Sequence, residues 1–227
     1  MKNYFTILCF VSVLSCNYQQ PAAPVAVAKK DSSFKVSANP LPATTALTIL
    51  PFDKNNILIK DRVKGKIVDG ARFKDAEGES YVLLTEQDNI EKDNTHNKSI
   101  YAYCFAKQGD SFLKKWLVQD NITGCDLDAT CEFFPGSFSI TDVDNNKIAE
   151  ATFLYRLSCK GDVSPHSKKL IIYQGATKFA IRGSTILQTP AGKEGGFKKI
   201  DASFTGAPKA LLDYANKQWD KFGFEKY

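Results

Sequence analysis

The chain is poor in the residues that mark familiar enzyme classes. It carries two histidines in 227 residues, His96 and His166. It has no H-E-x-x-H, no G-x-S-x-G elbow, no Walker loop and no dinucleotide fingerprint, so it lacks the local geometry those chemistries use. Gly192-Lys193 has neither the spacing nor the following Ser/Thr of a P-loop. There is no C-x-x-C pair, and both histidines lie far in sequence from the cysteines, which leaves zinc without its usual ligand spacing. The formal charge is only +5, from 30 basic and 25 acidic residues. Lysines are scattered with no Arg-rich face, so a nucleic-acid partner is not expected. Arg156, Asp162 and His166 form a candidate charged cluster, but His166 follows Pro165 and is expected to be an exposed loop residue. Paired carboxylates leave no local signature, so glycosidase-type chemistry stays open.

What is present begins at the N-terminus. Lys2 and an apolar run from Tyr4 to Leu14 precede Val13-Leu14-Ser15-Cys16. The run is too short for a membrane-spanning helix of about 20 residues and suits the core of a signal peptide. The tetrapeptide resembles the lipobox of bacterial lipoproteins. The expectation is a signal peptide over 1–15, lipidation at Cys16 and a chain held on a membrane, most naturally the outer one, by acyl groups. Residues 16–46 hold Pro21, Pro24, Pro40 and Pro42 among Ala, Ser and Thr. Such a segment buries too little to offset its ordering entropy and reads as a tether with a reach of roughly 30 Å.

Residues 47–227 are expected to form a single domain. Cys104, Cys125, Cys131 and Cys159 remain after Cys9 and Cys16 are set aside. An even number in an exported domain favours two disulfides, with three connectivities open, and free buried thiols come second. Ile57–Ile59, Lys66–Val68, Ser80–Glu86, Ser99–Ala106, Phe112–Gln119, Ser137–Thr141, Ala151–Ser158, Leu170–Gln174 and Lys178–Arg182 are β-branched or aromatic runs. Turn residues punctuate them at Asp75–Gly78, Gln108–Asp110, Asp144–Asn146 and Gly175. The pattern predicts a mainly β fold, an antiparallel meander of hairpins. Tyr101, Tyr103 and Phe105 alternate with Ala102 and Cys104, as on a strand with one buried face. After Gly206, Pro208 suits a first helical turn. Leu212, Ala215, Trp219 and Phe222 then make an apolar stripe, so one α-helix over about 207–222 should pack on the sheet.

Two segments share a plan of strand, acidic turn and strand: Arg72–Leu84 and Ser139–Tyr155. They read either as propeller-blade-like repeats or as convergent hairpins. The second holds the sharpest local motif, Asp142-Val-Asp144-Asn-Asn146-Lys-Ile148-Ala-Glu150. Side-chain oxygens at Asp142, Asp144, Asn146 and Glu150, with the Ile148 carbonyl, suit Ca2+, which takes six to eight hard oxygens. The spacing resembles the calcium loops of integrin-type propeller repeats. Asn145 or Asn146 stands where a glycine is usual, and either tolerates a left-handed backbone. The competing reading is a hairpin turn whose Asp and Asn satisfy their own backbone. Asp126-x-Asp128-x-Thr130-x-Glu132 alternates similarly, but Cys125 and Cys131 bracket it, which favours a disulfide-shaped loop.

Thr141–Glu150, Thr152–Cys159, Gly161–Pro165, Lys169–Ile172 and Lys178–Gly183, in that order, resemble a family of bacterial envelope proteins described as surface polysaccharide biosynthesis proteins. The likeness spans about residues 65–220 and is densest over 138–183. The family's loop more often reads D-L-D-x-D-G, from which Asn145-Asn146 departs. The resemblance implies a process, surface glycan production or display, and no reaction; no catalytic residue follows from it. The expected function is thus a lipid-anchored, non-catalytic binding or assembly factor for surface polysaccharide. The alternatives are an envelope glycan hydrolase or transferase using carboxylates, and a protein-interaction or inhibitor module.

Overall fold

The computed structural model describes residues 46–55, 57–92 and 94–226, which fall within one compact unit. The expected signal peptide, Cys16 and nearly all of the tether lie outside the described residues. The chain first builds an antiparallel sheet in sequence order from β1 (Thr48–Leu50), β2 (Lys66–Asp75), β3 (Gly78–Ile90), β4 (His96–Gln108) and β5 (Ser111–Cys125). It continues through β6 (Asp128–Phe133), β7 (Ser139–Thr141), β8 (Glu150–Lys160), β9 (Ser167–Gln174) and β10 (Thr177–Ser184). A hairpin of β11 (Ile186–Thr189) and β12 (Gly192–Gly195) precedes β13 (Lys198–Ile200), the helix α1 (Lys209–Lys221) and β14 (Phe224–Lys226). The second sheet runs β13-β10-β9-β8-β6, with β7 also paired to β8. A small third sheet, β12-β11-β14, contains the parallel pair β11–β14.

Hairpin chemistry sets much of this. Gly109 (φ 58°) and Gly175 (φ 56°) each open a two-residue turn, where a left-handed first residue matches the twist of the strands it joins. Period-two alternation then sorts side chains into layers. Val82, Leu84, Ile100, Ala102 and Cys104 of the first sheet meet Phe153, Tyr155, Leu157 and Ile171 of the second. Phe153 is fully buried there, between Trp116 (ring centroids 6.4 Å apart) and Phe133 (5.8 Å). On its other face the second sheet packs Leu154, Leu170, Ile172 and Ile181 against Leu211, Ala215 and Trp219 of α1. Each leucine and isoleucine of this layer contributes about 1.5–3 kcal/mol by leaving water.

Several expectations need correction. Strand β4 is buried on both faces: Tyr101, Tyr103 and Phe105 stack as a ladder beneath Ile59 and its neighbours, away from the sheet–sheet core. Ile57–Ile59 is not a strand but a turn leading into a short 3-10 helix at Lys60–Arg62, which points Ile59 into that ladder and leaves Leu58 exposed. The two acidic hairpins belong to different sheets of a layered fold and are not blades of a propeller. The helix starts one residue later than its proline suggests: Pro208 (ψ 136°) precedes the first turn, and its carbonyl accepts from the N–H groups of Leu211 and Leu212. The buried stripe is Leu211, Ala215 and Trp219, with Leu212 half-buried and Phe222 just past the helix against Phe134. Lys168 closes the helix end: its Nζ donates to the carbonyls of Trp219 (3.1 Å) and Phe222 (2.8 Å) and lies 3.9 Å from the Trp219 ring centroid. A cation there complements the helix dipole, although burial pushes the amine down to about 8.

Only one of the two expected disulfides forms. Cys125 bonds Cys159, while Cys104 and Cys131 are free and buried. The reason is register. Cys131 Sγ approaches the Asp120 carbonyl, and Asp120 pairs with Ile100, four residues along β4 from Cys104. Four residues of strand span about 13 Å, well beyond the roughly 7 Å Cα separation a disulfide tolerates. Burial pushes both free thiols up to about 12, so they behave as small core residues. The segment bracketed by Cys125 and Cys131 is accordingly a tight β5–β6 turn stapled to β8, with Cys131 turned into the core.

Candidate functional site

Strands β7 and β8 pair with Thr141 opposite Glu150, so the two ends of the acidic loop are held side by side. Between them Asn145 (φ 57°) and Lys147 (φ 70°) adopt left-handed backbone, the first as its side chain allows. Lys147 is held there by donating its N–H to Asp142 Oδ2 (3.1 Å) and accepting at its carbonyl from Ala76 N–H (2.9 Å). The fold thereby brings Asp142, Asp144 and Glu150 together, each with a carboxylate oxygen within 4.8 Å of the others.

Their hydrogen bonds leave a distinctive residue. Glu150 Oε2 accepts from Thr141 Oγ1 (2.9 Å) and Val143 N–H (3.0 Å). Gln174 Nε2 bridges Glu150 Oε1 (3.1 Å) and Asp144 Oδ2 (3.0 Å). Asp142 Oδ1 is buried and has no partner. No ion pair among the described residues neutralises any of the three. Burial raises the Glu150 carboxyl above its ordinary value, and Asp144 and Asp142 add to the rise, against the stabilising bonds from Val143 and Thr141. A fully buried carboxyl beside two others and a stranded oxygen is a group in need of positive charge.

The loop does not gather all five expected ligands. Asn146 turns its carbonyl oxygen to Ile148 N–H (2.8 Å) and its amide nitrogen to Asp144 Oδ2 (3.0 Å), so it braces the turn. Asn146 thus satisfies local backbone, as a hairpin turn would have it, while the three carboxylates converge. Gln174 went unnoticed in the sequence, because its place opposite Glu150 follows from the β8–β9 register and not from any spacing within the loop.

A second unforeseen support is Asp75, the last residue of β2, where the chain turns into β3. It is 5% exposed; Oδ1 accepts from Glu77 N–H (2.9 Å) and Oδ2 from Ala149 N–H (2.9 Å). The hairpin that resembles the acidic loop in sequence therefore props it in space.

A separate cavity of about 410 Å³ lies between β2–β3 and the end of β6. Its walls include Val68, Asp69, Glu86, Glu132, Phe133, Phe134, Phe138 and Arg156. Val68 is the extra residue of a β-bulge in β2, a device that re-aims side chains beside sites. Glu86 Oε1 accepts from Phe133 N–H (2.8 Å). Arg156 donates Nε and Nη2 to Glu132 Oε1 (3.0 and 2.7 Å) and Nη1 to Glu225 Oε1 (2.8 Å). His166 is not the exposed loop residue expected: it is buried, with Nδ1 2.7 Å from Ser158 Oγ and Nε2 3.6 Å from Glu225 Oε2. Asp162 stays apart from this cluster and accepts from Ser164. No family model, curated protein or solved structure matches this chain.

Proposed function

We propose that the protein is a calcium-holding, non-catalytic binding module serving surface-polysaccharide assembly or display from a lipid anchor at Cys16. The observation that carries the calcium part is the convergence of Asp142, Asp144 and Glu150 around the partnerless Asp142 Oδ1. Calcium accepts hard oxygens in variable number, and rotation of the Gln174 amide would add another. The process rests on the resemblance of residues 138–183 to the envelope family, and the Cys125–Cys159 bond suits an oxidising compartment. The deciding experiment is the surface-polysaccharide profile of a deletion strain, complemented with wild type or with Asp142→Ala/Asp144→Ala. Loss of long glycan that only wild type restores supports both parts. Restoration by both proteins removes the ion from the function, and an unaltered profile overturns the process.

The ion makes a prediction of its own. With calcium at a hundred times its dissociation constant, stability should rise by about 2.7 kcal/mol. Asp142→Asn keeps the acceptor for Lys147 N–H but drops the charge. In EDTA this variant should melt at or above the wild-type temperature, since like-charge repulsion falls. In calcium it should melt below. Identical melting of wild type in calcium and EDTA would sink the assignment.

One observation favours a second reading, glycan hydrolysis by paired carboxylates. Glu86 and Glu132 wall the same cavity in unlike environments. Burial raises the Glu86 carboxyl, with Glu132 adding to the rise and Phe133 N–H and Lys98 opposing it; Glu132 is tied to Arg156. A raised carboxyl facing one that is held in an ion pair is an arrangement suited to a general acid. It has a testable sign. A carboxyl raised on folding holds its proton more tightly in the native state, so stability falls as pH climbs from about 4 through the raised value. Glu86→Gln mimics the protonated form, and its melting temperature should gain on wild type across that climb. A constant difference would show that Glu86 ionises normally.

A further inference from the structure

The cavity beside Glu86 has a composition that selects its occupant. Three carboxylates, Asp69, Glu86 and Glu132, line it against one guanidinium. That guanidinium is already paired: Nε, Nη1 and Nη2 each donate to Glu132 or Glu225, and its carbon sits 5.5 Å from the Phe134 ring centroid. Glu86 uses one oxygen on Phe133 N–H and Glu132 one on Arg156, which leaves Glu86 Oε2 and Glu132 Oε2 without a hydrogen-bond partner among the described residues. The polar side chains of the wall therefore offer mostly acceptors and carry net negative charge, three carboxylates against one guanidinium. Apart from Gly136, the rest of the lining is apolar, with Phe133, Phe134 and Phe138 beside Val68, Leu84 and Pro135. A ligand matched to this wall brings hydrogen-bond donors, positive charge and a flat C–H face for the rings.

We infer that the Glu86–Glu132 cavity is a binding site for an amine-bearing sugar. A protonated amine meets the two free carboxylate oxygens, ring hydroxyls supply further donors, and the C–H face of the ring lies on phenylalanine. About 410 Å³ falls at the lower end of small-ligand sites, which fits one or two sugar rings. A neighbouring cavity of about 380 Å³ shares Val68, Glu86 and Glu132 and continues past Gln87, Asp88 and Lys98, so a longer chain has a path along β3. The need for an amine comes from the cavity wall. The choice of a sugar as its carrier rests on the surface-polysaccharide reading.

The test is calorimetric titration of the full chain with glucosamine disaccharide, with its N-acetylated counterpart and with a simple alkyl diamine. The amine disaccharide should bind at least tenfold more tightly than the acetylated one, and more weakly as salt is raised. Glu86→Gln retains the acceptor for Phe133 N–H and should fold as wild type, yet lose tenfold or more in affinity; Glu132→Gln is the second variant, checked by melting temperature. Asp142→Asn should leave this affinity unchanged, which keeps the result separate from the calcium reading. Equal binding of amine and acetylated sugars, or unchanged affinity in both carboxylate variants, overturns the site. Diamine binding as tight as the sugar overturns the carrier, and with it the link to polysaccharide at this cavity.

Discussion

Serine in place of Cys125 or Cys159 is expected to cost about 3–4 kcal/mol of unfolding free energy, a fall of roughly 10 °C in Tm for a domain of this size. The bond joins residues 34 apart in sequence. Loop-closure entropy removed from the unfolded chain supplies most of that figure, because each segment in between is free only when the bond is absent. Its location adds to the effect. Cys125 is the last residue of β5 in the first sheet, and Cys159 lies on β8 in the second, opposite Ala129 of β6. The bond therefore clamps the turn by which the chain leaves one sheet for the other. Reductant should reproduce the loss in wild type and do nothing further to either variant. Cys104→Ser serves as the contrast, since it cuts no cross-link and should respond to reductant as wild type does. A fall of less than 2 °C in the Cys125→Ser variant would show that this bond does not set the stability.

How far the sequence could be read depended on whether a feature was local. Turns at Gly109 and Gly175 were legible because a left-handed residue between two apolar runs has few other uses. The strands followed from β-branched and aromatic runs between turn residues, and the helix from Gly206, Pro208 and its apolar stripe. Strand β6 was not legible: Asp128–Phe133 shows acids and cysteine, and only the pairing of Cys131 with Leu157 and Phe133 with Tyr155 reveals an ordinary inward-facing strand. Burial of Tyr101, Tyr103 and Phe105 could not be told from exposure, since it depends on Ile59 returning over them from another part of the chain. The same holds at the acidic loop. Asp142, Asp144 and Glu150 announced themselves by spacing, whereas Gln174 and Asp75 reach the loop across sheet registers that no spacing encodes.

Asp75→Ala should lower stability by about 2–3 kcal/mol in EDTA and weaken calcium binding tenfold or more, although Asp75 is not among the three converging carboxylates. Its carboxylate accepts from two backbone N–H groups, one in its own turn and one at Ala149, itself only 4% exposed. Alanine leaves the Ala149 N–H buried and unpaired, one residue before Glu150, and it weakens the contact in which Ala76 N–H donates to the Lys147 carbonyl. Lys147 is the non-glycine residue held at φ 70°, so its backbone has a reason to relax once that support loosens. Relaxation there moves Asp142, which takes its hydrogen bond from Lys147 N–H. Asp75→Asn keeps one acceptor and should fall between wild type and alanine in both readouts. The pairing of effects is what separates Asp75 from the three converging carboxylates: Asp142→Asn should lose calcium affinity without losing stability in EDTA, whereas Asp75→Ala should lose both. Stability lost with calcium affinity intact would mean that the loop keeps its shape through Asn146 and Gln174 alone, and that the neighbouring hairpin only supports the sandwich.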